Sequence, residues 1–156
     1  MLNFLKWTFF CIFVLVNIIA MEEKWIDIID FENLYEISNL GNVRSKDRII
    51  EANSRWGVMR KMLFKGKALK QFVGKNGYAK VSLCKGSKPI SKDVHRLVYE
   101  SFNGKITGNM QVNHIDEDKL NNRLNNLNLL SPKDNTNYGT HNERMKETKR
   151  KRLQKM

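Results

Sequence analysis

Between Gln111 and Tyr138 the chain reads as strand, polar loop, strand and helix start, all within 28 residues. Gln111-Val112-Asn113-His114 is the first strand, and it runs into a polar loop, Ile115 to Leu120. Leu124 and Leu127 sit in a short Asn-rich turn or helix, and Leu129 with Leu130 makes a second strand. Ser131-Pro132-Lys133-Asp134 then starts a helix. Ser caps it, Pro fills the position that needs no N–H, and the Asp carboxylate lies near the positive end of the helix dipole. So tight a succession has room for two short strands and one helix, and little else.

The chain ahead of it, from Trp25 to about Asp93, reads as short strands broken by turn residues. Trp25, Ile26, Ile28 and Ile29 form an opening strand. Tyr35 and Ile37 lead into the turn Asn39-Leu40-Gly41-Asn42, and Val43-Arg44-Ser45 follows. Residues 46–66 are basic and irregular in pattern. Gly74-Lys75-Asn76-Gly77 predicts a hairpin, because Asn-Gly accepts the positive φ of tight turns. The next strand alternates, with Ala79, Val81 and Leu83 on one face. Lys85-Gly86-Ser87-Lys88 turns the chain again, and Cys84 is expected to be buried packing. Val94, Leu97, Val98 and Phe102 fall at helical spacing, which predicts a helix over 95–102. The fold class is α+β, with a small antiparallel β-rich N-terminal part.

With 156 residues, one compact domain plus appendages is expected. Lys and Arg number 28 against 16 Asp and Glu, a formal charge of +12. That balance points to a polyanion, either nucleic acid or an anionic membrane surface. Residues 141–156 carry +5 of it as a charged helix or a disordered arm, and residues 22–140 still carry +6. Two cysteines exclude a disulfide-dense framework and a Cys-rich zinc module. Residues 1–20 are hydrophobic and read three ways: a signal peptide, a short membrane anchor, or a mis-assigned start with translation beginning at Met21. An intracellular location follows from the last reading, and a secretory or membrane one from the others. Membrane is a partner only if the segment is a true anchor.

His114 is the residue best placed for chemistry. It stands at a strand end with carboxamides beside it and on the following helix. Such a set can grip one hard cation while a free imidazole activates water. The plainer reading of the same residues is an Asn-rich loop with a surface histidine.

Val112-Asn113-His114-Ile115-Asp116, then Asn121-Asn122-Arg123-Leu124, Asn126-Leu127 and Asn135, resemble the motif of HNH endonucleases in their viral and intron-encoded homing branch. His95-Arg96-Leu97-Val98-Tyr99-Glu100-Ser101-Phe102 is similar to the helix that precedes it there. Tyr35-Glu36-Ile37-Ser38-Asn39 and Gly41-Asn42-Val43-Arg44-Ser45 resemble a small module often placed ahead of those nucleases. The resemblance implies a ββα-metal core and hydrolysis of double-stranded DNA with one divalent cation per site, Mg²⁺ or Mn²⁺. It makes His114 the general base, Asn126 the residue that fixes the loop and the His orientation, and Asn113 and Asn135 the metal ligands. It divides the chain into the N-terminal segment 1–20, a module at 24–50, a basic β-rich linker at 51–93, the nuclease core at 94–140 and a basic tail at 141–156. No obligate protein partner is evident.

One position departs from the family. Asn113 stands where an Asp or His is usual, and a neutral amide is a weaker ligand for a hard cation. Either it still binds weakly, with Asp116 as the nearest compensating carboxylate, or activity is reduced. Two other functions therefore stay open: a DNA-binding protein with a degenerate site, and a membrane-attached or exported basic protein. For DNA contact the candidates are Arg44, Arg55, Arg60, Lys61, Lys65, Arg96, Lys149 and Arg150. Phe64 among them is expected to pack in the core.

Overall fold

The computed structural model describes residues 22–53, 57–86 and 88–153. The hydrophobic segment 1–20 and Arg55 lie outside the described residues, as does the side chain of Lys149. No helix among the described residues is long and apolar enough to cross a membrane.

The N-terminal sheet has the order β1-β2-β3, with β1 (Trp25–Asp27), β2 (Tyr35–Ser38) and β3 (Val43–Ser45) antiparallel. The turn between β2 and β3 is held by Ser38, whose Oγ accepts from the N–H of Asn42 at 3.0 Å. Gly41 occupies φ +88°, and a Cβ there would lie 3.1 Å from Asn122. Only glycine allows that approach without cost.

A second sheet, in the order β6-β7-β8, comprises β6 (Gln71–Val73), β7 (Ala79–Lys85) and β8 (Lys88–Asp93). The predicted Gly74–Gly77 hairpin joins β6 to β7, closed by Gly74 N–H to Tyr78 O at 2.9 Å. Ala79, Val81 and Leu83 are buried, as the alternation predicts. The same alternation turns Cys84 away from Leu83, and it is exposed rather than buried.

The stretch of irregular pattern is a hairpin. β4 (Arg48–Asn53) pairs with β5 (Met59–Phe64) over six residues, from Arg48 opposite Phe64 to Asn53 opposite Met59. Its apolar residues stand on both faces with no core over either, so no period of two shows in the sequence. Phe64 is 46% exposed and does not join the core.

Helix α1 (Val94–Asn103) buries Val94, His95, Leu97 and Val98, and ends at Gly104, φ +92°. Strands β9 (Gln111–His114) and β10 (Leu127–Leu130) are antiparallel, joined through the loop and a 3₁₀ turn at Leu124–Asn126. Helix α2 (Pro132–Asn137) follows, capped by Ser131 Oγ accepting from Asp134 N–H at 3.2 Å. The tail forms helix α3 (His141–Leu153).

One core unites these parts: Ile28, Ile37 and Val43 from the first sheet meet Val81 and Leu83, then Val94 and Val98, then Val112 and Leu127. Ile37 is wholly buried at its centre. Ile37→Ala is expected to lower unfolding stability by about 2–5 kcal/mol. Urea titration should show one transition moved to lower denaturant.

Candidate active site

His114 ends β9 and faces Leu127 across the strand pair. The residue is 4% exposed, and its ring packs against two others that also touch each other, at 4.7 Å between centroids. Tyr78 lies nearly parallel at 5.9 Å between centroids, and His95 sits at 5.2 Å. Tyr78 comes from the hairpin tip and His95 from α1, so two elements besides its own strand fix the imidazole.

Asn122 sets its tautomer. The Nδ2 of Asn122 donates to the Leu120 carbonyl at 3.1 Å, which can only accept. Its Oδ1 therefore faces His114 Nε2, at 3.1 Å, and Nε2 carries the proton. The lone pair is left on Nδ1. Asn122→Leu, which keeps the volume and removes the acceptor, should slow any proton abstraction by His114 about tenfold or more. A single-turnover time course measures it.

The two amides expected to hold metal share this cleft, whose volume is about 300 Å³. Asn113 Nδ2 donates to Asn128 Oδ1 at 3.0 Å, its partner across the β9–β10 pair. Asn135, on α2, donates from Nδ2 to Gln111 Oε1 at 2.7 Å. Each amide spends an N–H on a side chain of the strand pair, and among the described residues its oxygen accepts no hydrogen bond. Among the described residues no group of three or more His, Cys, Asp or Glu could hold a metal. The donors present fit a hard cation that retains several waters and takes phosphate oxygens.

The side-chain hydrogen bond of the imidazole is with Asn122, not with Asn126. Asn126 instead laces the loop, accepting from Asp116 N–H at 3.1 Å and donating to Asp116 Oδ1 and Asn121 O, both at 2.8 Å. Asp116 is thereby committed to the loop. Hydrogen bonds from Asn121 and then Asn126 and the Asp118 backbone hold its carboxyl below the usual range. The carboxylate that lines the cleft is Glu117, gripped by Thr140 through its N–H at 2.9 Å and its hydroxyl at 2.8 Å. Nothing in the residue order distinguishes Asn122 from its Asn neighbours, or Glu117 from Asp116. Only the loop's path does.

His95 is buried, and its Nδ1 has no partner. Burial first, and the neighbouring His114 second, push its pKa down to about 4. Acidification then charges the unfolded chain before the folded one. Stability is full above about pH 6.5 and falls as pH drops toward 4, by roughly 3 kcal/mol from this group alone. Thermal unfolding across that window should show the slope, and His95→Phe should flatten it.

Residues 23–84 match the NUMOD4 motif and residues 92–137 match the HNH endonuclease family. The chain carries an HNH endonuclease domain and is similar to HNH homing endonucleases. Over 112 residues it is 33% identical to DNA endonuclease I-HmuI of Bacillus phage SP01, covering 72% of this chain and 55% of that one. It is 41% identical over 71 residues to YosQ, an SPbeta prophage-derived protein of Bacillus subtilis (strain 168) whose name includes HNH homing endonuclease. That match covers 45% of this chain and 41% of YosQ. A solved structure, "DNA binding and cleavage by the HNH homing endonuclease I-HmuI", superposes with a TM-score of 0.59 at 29% identity. It covers 85% of this chain and 66% of that one. The chain spans about half the length of the curated relatives it matches. In this HNH chain β9, β10 and α2 form the α+β unit around His114.

The basic candidates are scattered. Arg44 lies 4.1 Å over the Trp25 ring and pairs with Glu36 at 2.7 Å, which ties it to its own sheet. Arg96 is exposed on α1 and bonds Glu100. Arg60 and Lys61 are neighbours on β5 and so point to opposite faces of the hairpin. Lys61 pairs with Glu51 at 3.4 Å. Lys65 follows the hairpin and Arg150 stands on α3, both exposed.

Proposed function

We propose that this chain is a DNA endonuclease that hydrolyses phosphodiester bonds in the His114 cleft. One observation carries the reading. A buried imidazole with its Nδ1 lone pair left over stands in the same cleft as two sheet-anchored amide oxygens. Its similarity to I-HmuI, whose solved structure concerns DNA binding and cleavage, supports DNA as the substrate.

In this reading His114 Nδ1 takes the proton from an attacking water, and Asn122 steadies the resulting imidazolium through its Oδ1. Asn113 and Asn135 hold a divalent cation, Mg²⁺ or Mn²⁺, through their amide oxygens. When bound, that cation supplies charge stabilisation for the departing 3′-oxygen. Asn126 keeps the loop 115–121 in place, so His114 and Asn113 leave β9 in a fixed orientation. Residues 94–140 are the cleaving unit. The β4–β5 hairpin, with Arg60, Lys61 and Lys65, together with Arg44, Arg96 and the α3 helix with Arg150, grips the duplex backbone.

Departure of the 3′-oxygen leaves 5′-phosphate and 3′-hydroxyl ends. Nicked plasmid produced by the chain should therefore be resealed by DNA ligase without prior end treatment. Nicks that ligase cannot close would contradict the roles of His114 and the cation. A second reading, a DNA-binding protein with an idle site, is favoured by one observation: both candidate ligands are neutral amides. Retarded but uncut DNA under every metal would support it instead.

A further inference from the structure

The cleft contains a cation that the metal and the general base do not account for. Lys119 leaves the loop after His114 and lines the same cavity as His114, Asn113 and Asn135. Its ammonium lies 4.6 Å over the face of the Tyr78 ring and donates to the Asn76 carbonyl at 3.0 Å. Both partners belong to the β6–β7 hairpin tip. Gly77, at φ +83°, sits between them, and a Cβ there would lie 3.5 Å from Lys119 Cδ. The stem thus runs along the hairpin tip and the charge is presented at a set place, although the residue is exposed.

A lysine ammonium has three donors. One is spent on Asn76 and the others are left, beside a ring face that favours a cation. Phosphodiester hydrolysis adds negative charge at the phosphorus oxygens, and Lys119 is the one lysine or arginine among the described residues that line this cleft. We propose that Lys119 binds a non-bridging oxygen of a backbone phosphate on the strand held in this cleft. The inference rests on the nuclease reading of the cleft for its effect on rate, and on DNA binding alone for its effect on salt dependence.

The test uses the full chain and its Lys119→Met and Lys119→Arg variants. Methionine keeps the stem against the hairpin tip and removes the charge. Affinity for a duplex of about 30 base pairs, long enough to cover several phosphate contacts, is measured by fluorescence anisotropy in EDTA over a range of salt. It gives the slope of log K against log salt, which one lost phosphate contact reduces by about 0.9. We expect this reduction in Lys119→Met and its recovery in Lys119→Arg, with melting temperatures unchanged. Single-turnover plasmid cleavage by Lys119→Met should fall about 10- to 100-fold, the loss of one charge-stabilising contact. An unchanged slope would overturn the proposal, including where cleavage falls together with the melting temperature, since Lys119 would then only brace the loop. A parent chain that binds but does not cut would overturn the nuclease reading, and the slope would still decide Lys119.

Discussion

His114→Ala cuts the single-turnover cleavage rate by about 10²- to 10⁴-fold, the range for a lost general base, while duplex affinity stays within about twofold. The separation follows from burial. At 4% exposure the imidazole has almost no surface to offer a duplex, so it contributes to binding only through the shape of the cleft. Alanine leaves a gap beside Tyr78 and His95 but keeps the β9–β10 register, because Leu127 and the backbone ladder set it. Single-turnover rates at saturating protein, with anisotropy for binding, measure the two effects apart. Similar losses in both would mean that His114 supports the fold and not the chemistry.

The second large effect concerns the cation. Asn135→Ala should weaken Mn²⁺ binding by about 10- to 100-fold, as for a lost ligand or its near support. Asn113→Asp should strengthen it, because a carboxylate exchanges a neutral oxygen for a charged one at the same place. The two changes also differ in their supports. Asn135 depends on Gln111 and Asn113 on Asn128, and both anchors lie in the strand pair. Titration of Mn²⁺ followed by electron paramagnetic resonance reads affinity directly, without reference to turnover. An Asn113→Asp chain with unchanged affinity would remove Asn113 from the ligand set.

How far the site is readable from residue order depends on the range of the contact. The Asn-Gly hairpin, the Ala79-Val81-Leu83 face and the Ser131-Pro132 helix start are local, and each appears where its residues predict. The β4–β5 hairpin is not legible, since an uncovered ribbon imposes no alternation. Hydrophobicity alone places Cys84 and Phe64 inside, whereas strand alternation and the absence of a covering layer put them outside. At the site, His114, Asn113 and Asn135 stand out by motif. Asn122 does not, because its role arises from the loop folding back so that residues eight apart meet. Tyr78 and Lys119 are further still. They meet at the cleft only because the hairpin tip of one sheet reaches the loop that follows β9. The close packing of Gly41 on Asn122 is of the same kind: the N-terminal turn and the loop after His114 touch, and no spacing rule predicts it.

The most direct test is incubation of supercoiled plasmid with the full chain, freed of contaminating nuclease, in Mg²⁺, in Mn²⁺ and in EDTA. Metal-dependent conversion to open-circular or linear DNA, absent in EDTA and absent with His114→Ala, is the expected result. Plasmid that is retarded yet stays supercoiled in every metal would contradict it.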